Sequence, residues 1–193
     1  LIVKRSLLAA VLLLAPAASG RDDDPRASRL ADIGPAPEIG LTDTDGTVVR
    51  LEALRGKAVL VSFIYTTCGG VCPATTHRMF RVQEALKEAK LWGDRVKFVS
   101  ITVDPTRDTP EVLRRYADVY DADTPHWSFV TGLPEQVQKA MDGWGMWARP
   151  NADGVLDHPS RIFLVDPMGR IREIYSLEFL NAKDVVADMR ACL

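Results

Sequence analysis

Two largely apolar stretches constrain this chain most: Ala58 to Tyr65 (Ala-Val-Leu-Val-Ser-Phe-Ile-Tyr) and Val96 to Val103. A strand with one wet face alternates apolar and polar residues, whereas a strand covered on both faces need not. Each stretch therefore predicts a central strand of a sheet with layers on both sides. Between them, Pro73 suits the first turn of a helix reaching about Ala89, with Met79, Val82 and Leu86 at helical spacing on its inner face. A strand–helix–strand crossover is right-handed, so the two strands run parallel and end at the same sheet edge.

The remaining segments extend this core. Ile39 to Val49 predicts a hairpin turned by Asp45-Gly46. Asp108-Thr109-Pro110-Glu111 opens a second helix with a capping residue, proline and an acid at the positive end of the dipole. Trp127 to Val130 is a short strand, Pro134 to Trp144 a helix, and Arg161–Val165 with Arg170–Tyr175 a hairpin around Asp166-Pro167-Met168-Gly169. Asn181 caps a final helix. The expected fold is α/β and thioredoxin-like: a central mixed sheet flanked by helices, with an N-terminal β-hairpin. A flavodoxin-like sheet is the alternative, and the late hairpin argues against it.

Residues 1–20 read as a secretory signal peptide. Lys4-Arg5 precede an apolar segment, and Ala15-Pro16-Ala17-Ala18-Ser19-Gly20 offers small residues for cleavage. The apolar heart falls far short of the roughly 20 residues of a spanning helix. Residues 21–32 read as a flexible tether, and residues 33–193 as the folded domain. The expected location is periplasmic or otherwise exported, with a membrane-anchored state as the lesser option. The net charge of -2 gives no reason to expect nucleic acid or a direct membrane partner. Export places the three cysteines, Cys68, Cys72 and Cys192, in an oxidising compartment. Three thiols allow at most one disulfide, so folding must rest on the apolar core.

Cys68-Gly69-Gly70-Val71-Cys72 therefore carries the chemistry. The pair follows the first central strand and precedes its helix. Asp104 follows the second strand and reaches the same edge, where open α/β sheets bind ligands. His158 precedes Arg161–Val165; an antiparallel course for that strand brings it to the same edge. Asp157 is a candidate to orient the imidazole. His77 and His126 read as structural, Cys192 as peripheral, and Met146 as a soft auxiliary donor in a Trp144–Trp147 segment that either lines the pocket or belongs to the core.

Two thiolates and an imidazole suit Cu(I), which is soft and accepts low coordination; Cu(II) would require a further donor. A helix N-terminus favours thiolate, and the two glycines let the loop aim both sulfurs at one ion. Zinc suits the set less, because structural sites want four protein ligands. The same pair can act as a thiol–disulfide oxidoreductase, with Cys68 and Cys72 as the redox pair, although the spacing exceeds Cys-x-x-Cys by one residue. A plain structural disulfide and a peroxiredoxin-like peroxidase complete the alternatives.

Phe63-Ile64-Tyr65-Thr66-Thr67-Cys68 with Val71-Cys72-Pro73 resembles the signature of the Sco/SenC copper proteins. So do Ser100-Ile101-Thr102-Val103-Asp104-Pro105 with Arg107-Asp108-Thr109-Pro110, Trp127 to Gly132, and Asp157-His158 followed by Phe163 to Pro167 and Gly169. The resemblance spans about Ile33 to the final helix. It implies a thioredoxin-like domain that binds copper through Cys68, Cys72 and His158. The implied role is a metallochaperone that delivers copper to the binuclear copper centre of cytochrome c oxidase, or reduces that centre's cysteines. Implied partners are the copper-bearing oxidase subunit or another periplasmic copper protein, and a thiol–disulfide partner. Asp104 matches an acidic family position linked to metal handling. The chain departs from the family in a leader that looks cleavable rather than anchoring, and in Pro159 after His158, where the family commonly has a small hydroxylic residue.

Overall fold

All seven residues of strand β4 (Ala58–Ile64) are buried, as its unbroken apolar sequence requires. The computed structural model describes residues 30–193. The expected leader, and the expected tether as far as residue 29, lie outside the described residues.

Six strands form one mixed sheet in the order β1-β10-β9-β4-β5-β6. Its members are β1 (Gly34–Pro35), β4, β5 (Val96–Thr102), β6 (Trp127–Val130), β9 (Arg161–Val165) and β10 (Arg170–Ser176). β4, β5 and β6 run parallel, while β9 lies antiparallel to β4 and β10 antiparallel to β9. The N-terminal hairpin pairs β2 (Gly40–Thr42) with β3 (Val48–Arg50) outside this sheet. A further small hairpin joins β7 (Arg149–Pro150) to β8 (Leu156–Asp157).

Helix α1 (Val71–Glu88) buries Met79, Val82 and Leu86, the stripe expected from the sequence. It begins two residues before Pro73, which brings Cys72 into its first turn. α2 (Pro110–Val119) is capped by Thr109, whose hydroxyl accepts from the Val112 amide. α3 (Pro134–Gly143) leads to Trp144, whose ring packs edge-on to Phe63 of β4 and Phe163 of β9. α4 (Ala182–Cys192) is capped by Asn181 and packs beside α1. The fold is thioredoxin-like, a central mixed sheet flanked by helices, as the element order predicts.

Several polar groups inside this core are matched to one another. Ser62 and Ser100, on adjacent strands, share a hydrogen bond of 2.9 Å, and the buried Trp127 indole donates to the same Ser100 oxygen at 2.9 Å. The β9–β10 turn is held by Asp166, whose carboxylate accepts from the amides of Met168 and Arg170. Gly169 adopts φ +73°, and the side chain of Arg55 occupies the space a Cβ would need. Leu30, Ala31 and Asp32, the last residues of the expected tether, are held against β10 by Arg172 and Arg170.

Candidate metal and redox site

The C-terminal ends of β4 and β5 lie side by side because the strands are parallel and pair Ile64 with Thr102. The chain leaving β4 passes through Tyr65, Thr66 and Thr67 to Cys68, then enters α1. The Cys72 amide, in the first turn of that helix, points at the Cys68 sulfur at 3.4 Å. Both thiols are free; Cys72 is fully buried and Cys68 half-buried.

His158 reaches the same edge because β9 runs antiparallel to β4, so the start of β9 lies where β4 ends. Its Nε2 stands 3.2 Å from Cys72 Sγ. Its Nδ1 stands 3.1 Å from the Pro159 carbonyl oxygen. A carbonyl only accepts, so Nδ1 carries the proton and Nε2 presents its lone pair to the sulfur. Pro159 thus orients the ring, the role considered for Asp157 in the sequence. Asp157 is exposed and acts on His158 only through its charge.

The two thiols are electrostatically unlike. Burial opposes ionisation of Cys68, but the amides of Cys72 and Gly70 and its polar neighbours outweigh it and hold the thiol below its ordinary value. Burial drives Cys72 far upward, reinforced by the Cys68 sulfur and the negative charge of Asp108. Burial likewise lowers the His158 pKa, against the raising effects of the Pro159 carbonyl and Asp157. The site therefore holds one thiol disposed to ionise, one held protonated, and a neutral imidazole.

Asp104 lies at the expected edge but not in the cleft. It pairs with Arg107 at 3.4 Å, its amide bonds to the Thr102 hydroxyl, and it is absent from the residues lining the thiol pocket. Asp108, read from sequence as part of a helix start, is the acid nearer the thiols. Fully buried, its carboxylate accepts from the Thr102 hydroxyl at 2.5 Å and from the Thr66 hydroxyl at 2.5 Å and amide at 3.2 Å. It buckles the chain leaving β4, two residues ahead of Cys68, to the end of β5. A threonine at each strand end, with an acid six residues after the second, was the available signal, masked by the strong capping pattern at Thr109-Pro110.

The cleft of about 630 Å³ is lined by Tyr65, Cys68, Val71, Trp147, Val155 and His158 among others. Of the Trp144–Trp147 segment, Trp147 faces this cleft while Trp144 and Met146 are buried in the core. His77 is exposed beside Phe80, His126 packs on Trp92, and Cys192 lies at the end of α4. Among the described residues, no three Cys, His, Asp or Glu side chains are gathered into a ready-made metal cage. The contacts run pairwise, Cys68 to Cys72 and Cys72 to His158.

Residues 35–193 match the family described as SCO1/SenC. The chain belongs to the SCO1/SenC family. It is 30% identical over 151 residues to the SCO1 protein homolog of Bacillus subtilis, covering 76% of this chain and 77% of that one. It is also 30% identical over 169 residues to Protein SenC of Rhodobacter capsulatus, covering 86% and 72%. Among solved structures it resembles Bradyrhizobium japonicum ScoI with copper bound, with a TM-score of 0.71, 30% identity and coverage of 83% and 100%. A structure of BsSco described as containing a disulfide switch matches at a TM-score of 0.71 and 29% identity, covering 82% and 92%. The matched residues 35–193 run from the second residue of β1 through the thiol edge to the final helix.

Proposed function

We propose that this protein is an exported copper-binding metallochaperone that serves assembly of cytochrome c oxidase, holding its copper cargo through Cys68, Cys72 and His158. The 3.2 Å approach of Cys72 Sγ to His158 Nε2 carries the reading, because it joins donors 86 residues apart. The donor set suits Cu(I): two sulfurs, one of them already inclined to ionise, and an imidazole nitrogen with a free lone pair. The relatives support it. Besides copper-bound ScoI, a protein of Stutzerimonas stutzeri described as a putative copper-binding protein is 30% identical over 140 residues. BsSco is described as a member of the Sco family of cytochrome c oxidase assembly proteins.

In this reading Cys68, at the cleft, meets the ion first. Cys72 gives up its proton on binding, and His158 completes the set from the opposite wall, its ring held by Pro159. The apolar rim of Val71, Trp147 and Val155 limits water around the sulfurs. Cu(I) titration of the reduced protein against a competing chelator tests this. Cys68→Ser, Cys72→Ser and His158→Ala should each weaken binding at least about tenfold, as loss of a ligand in a three-donor site requires. Wild-type affinity in both Cys68→Ser and His158→Ala would refute the site.

The unlike thiols also favour a second reading, an exported thiol–disulfide oxidoreductase. Cys68 thiolate would attack a partner disulfide, and Cys72 would then displace the partner thiol, leaving a Cys68–Cys72 disulfide and a reduced partner. Turnover on a disulfide substrate that persists in His158→Ala would favour this role over copper delivery.

A further inference from the structure

The chain contains three Asp-Gly pairs: Asp45-Gly46, Asp142-Gly143 and Asp153-Gly154. An aspartate followed by glycine is prone to cyclise, because glycine has no Cβ to hinder attack of its amide nitrogen on the aspartate side chain. Tertiary structure holds two of the three pairs back. The Asp45 carboxylate accepts from the Thr47 amide at 2.8 Å. The Asp142 carboxylate accepts from the Gln138 side chain at 2.8 Å, and Gly143 closes α3 against Pro37, 3.1 Å from where a Cβ would stand. Asp153 differs. It sits at the exposed tip joining β7 to β8, and among the described residues its carboxylate has no hydrogen bond or ion pair. The tip is organised by Asn151 instead, whose carboxamide oxygen accepts from the Asp153 and Val155 amides at 3.0 Å each. Gly154 has φ +75° and open space where a Cβ would stand. Its amide donates to the Asn151 carbonyl at 3.1 Å, but the Gly46 amide makes the same turn bond to Asp43 at 3.0 Å. The carboxylate, not the amide, therefore separates the two turns.

We propose that Asp153 is a site of spontaneous isomerisation to isoaspartate, and that this covalent change displaces the cleft wall that carries His158. The Gly154 nitrogen attacks Cγ of the Asp153 carboxyl group. The N–Cγ bond forms, the Cγ–OH bond breaks, and the hydroxyl leaves as water with the amide proton, giving a succinimide. Water then opens the ring at the Asp153 backbone carbonyl, breaking its bond to the Gly154 nitrogen. The main chain now runs through Cβ and Cγ, one methylene longer, and a free α-carboxylate remains. The water lost is regained, and no electrons are exchanged. β7 and β8 are joined only through Arg149 with Asp157 and Pro150 with Leu156. Hairpin register is set by the turn, so a longer turn misplaces the Asn151 contacts that hold these pairs. Val155, Leu156, Asp157 and His158 follow directly and line the cleft.

Reduced, metal-free protein aged for several weeks in warm, mildly acidic buffer provides the test. Isoaspartate is located by methylation with protein isoaspartyl methyltransferase, and by failure of endoproteinase Asp-N to cut at the altered residue. Asp153 should convert about fivefold or more faster than Asp45 or Asp142, since each of those must first give up a hydrogen bond worth about that factor. Asp153→Glu keeps the charge but would have to close a six-membered ring, so its hairpin tip should stay unlabelled. Equal conversion at Asp45, no conversion at Asp153, or label persisting at the tip of Asp153→Glu would overturn the site. The imidazole C–H signals of His158 in proton NMR report the displacement, with His77 and His126 as internal references. They should move in aged wild type and hold their positions in aged Asp153→Glu. Unmoved His158 signals in converted protein would overturn the coupling to the cleft. Neither readout uses copper, so failure of fresh wild type to bind Cu(I) would sink the metallochaperone reading and leave this one decided separately.

Discussion

Cys72 Sγ lies 3.2 Å from His158 Nε2, joining the first turn of α1 to the segment that leads into β9. The imidazole in that contact is neutral and half-buried, and the thiol beside it is held protonated. Each of these states has a measurable consequence.

The metal-free protein should lose stability in mild acid through His158. Burial lowers its folded-state pKa below the ordinary 6.5. Below pH 6.5 the unfolded chain takes up a proton that the folded state still refuses. The stabilising contribution is thus complete above 6.5 and is lost as pH falls through the lowered value. Urea midpoints at pH 7.5 and 5.5 should drop more in wild type than in His158→Asn. An equal drop in both would contradict a neutral, partly desolvated His158.

Oxidation should switch off copper binding. Cys68 and Cys72 flank a short loop that brings the Cys72 amide to the Cys68 sulfur. A Cys68–Cys72 disulfide consumes both sulfur donors. Diamide-treated protein should take up no Cu(I) until reduced, and stoichiometric loading of the oxidised form would count against the ligand assignment.

Asp108 should matter more to the fold than its place before a helix suggests. Asp108→Ala leaves two threonine hydroxyls and one amide without their acceptor. The expected loss is on the order of 3 kcal/mol, since each buried unpaired donor costs about 1–3 kcal/mol. Asp108→Asn keeps an acceptor and should lose less. Chemical denaturation distinguishes them, and equal losses would argue against the buckle.

Ser100→Ala should destabilise by roughly 1–3 kcal/mol, because it strands both the buried Trp127 indole N–H and the Ser62 hydroxyl. Thermal unfolding measures it. A neutral result would mean that the serine–tryptophan chain adds nothing beyond packing.

Much of the fold follows from local pattern. The apolar run at Ala58, the helical stripe of Met79, Val82 and Leu86, and the Asp166–Gly169 turn each encode an element through neighbours close in sequence. Parallel pairing of two such strands, together with an antiparallel third, also carried Cys68, Cys72 and His158 to one edge. Boundaries were less legible: α1 begins before Pro73, since a proline tolerated anywhere in the first turn does not mark which residue opens it.

The sequence alone determined which side chains could perform chemistry and which sheet edge receives them, because residue type and periodicity are local properties. Only the tertiary structure decided how those side chains differ. It made Cys68 the ionisable thiol and Cys72 the protonated one, and turned Asp104 toward Arg107 and Asp108 onto Thr66 and Thr102. Burial and electrostatic environment come from groups brought together across long stretches of chain, and no window of sequence contains them.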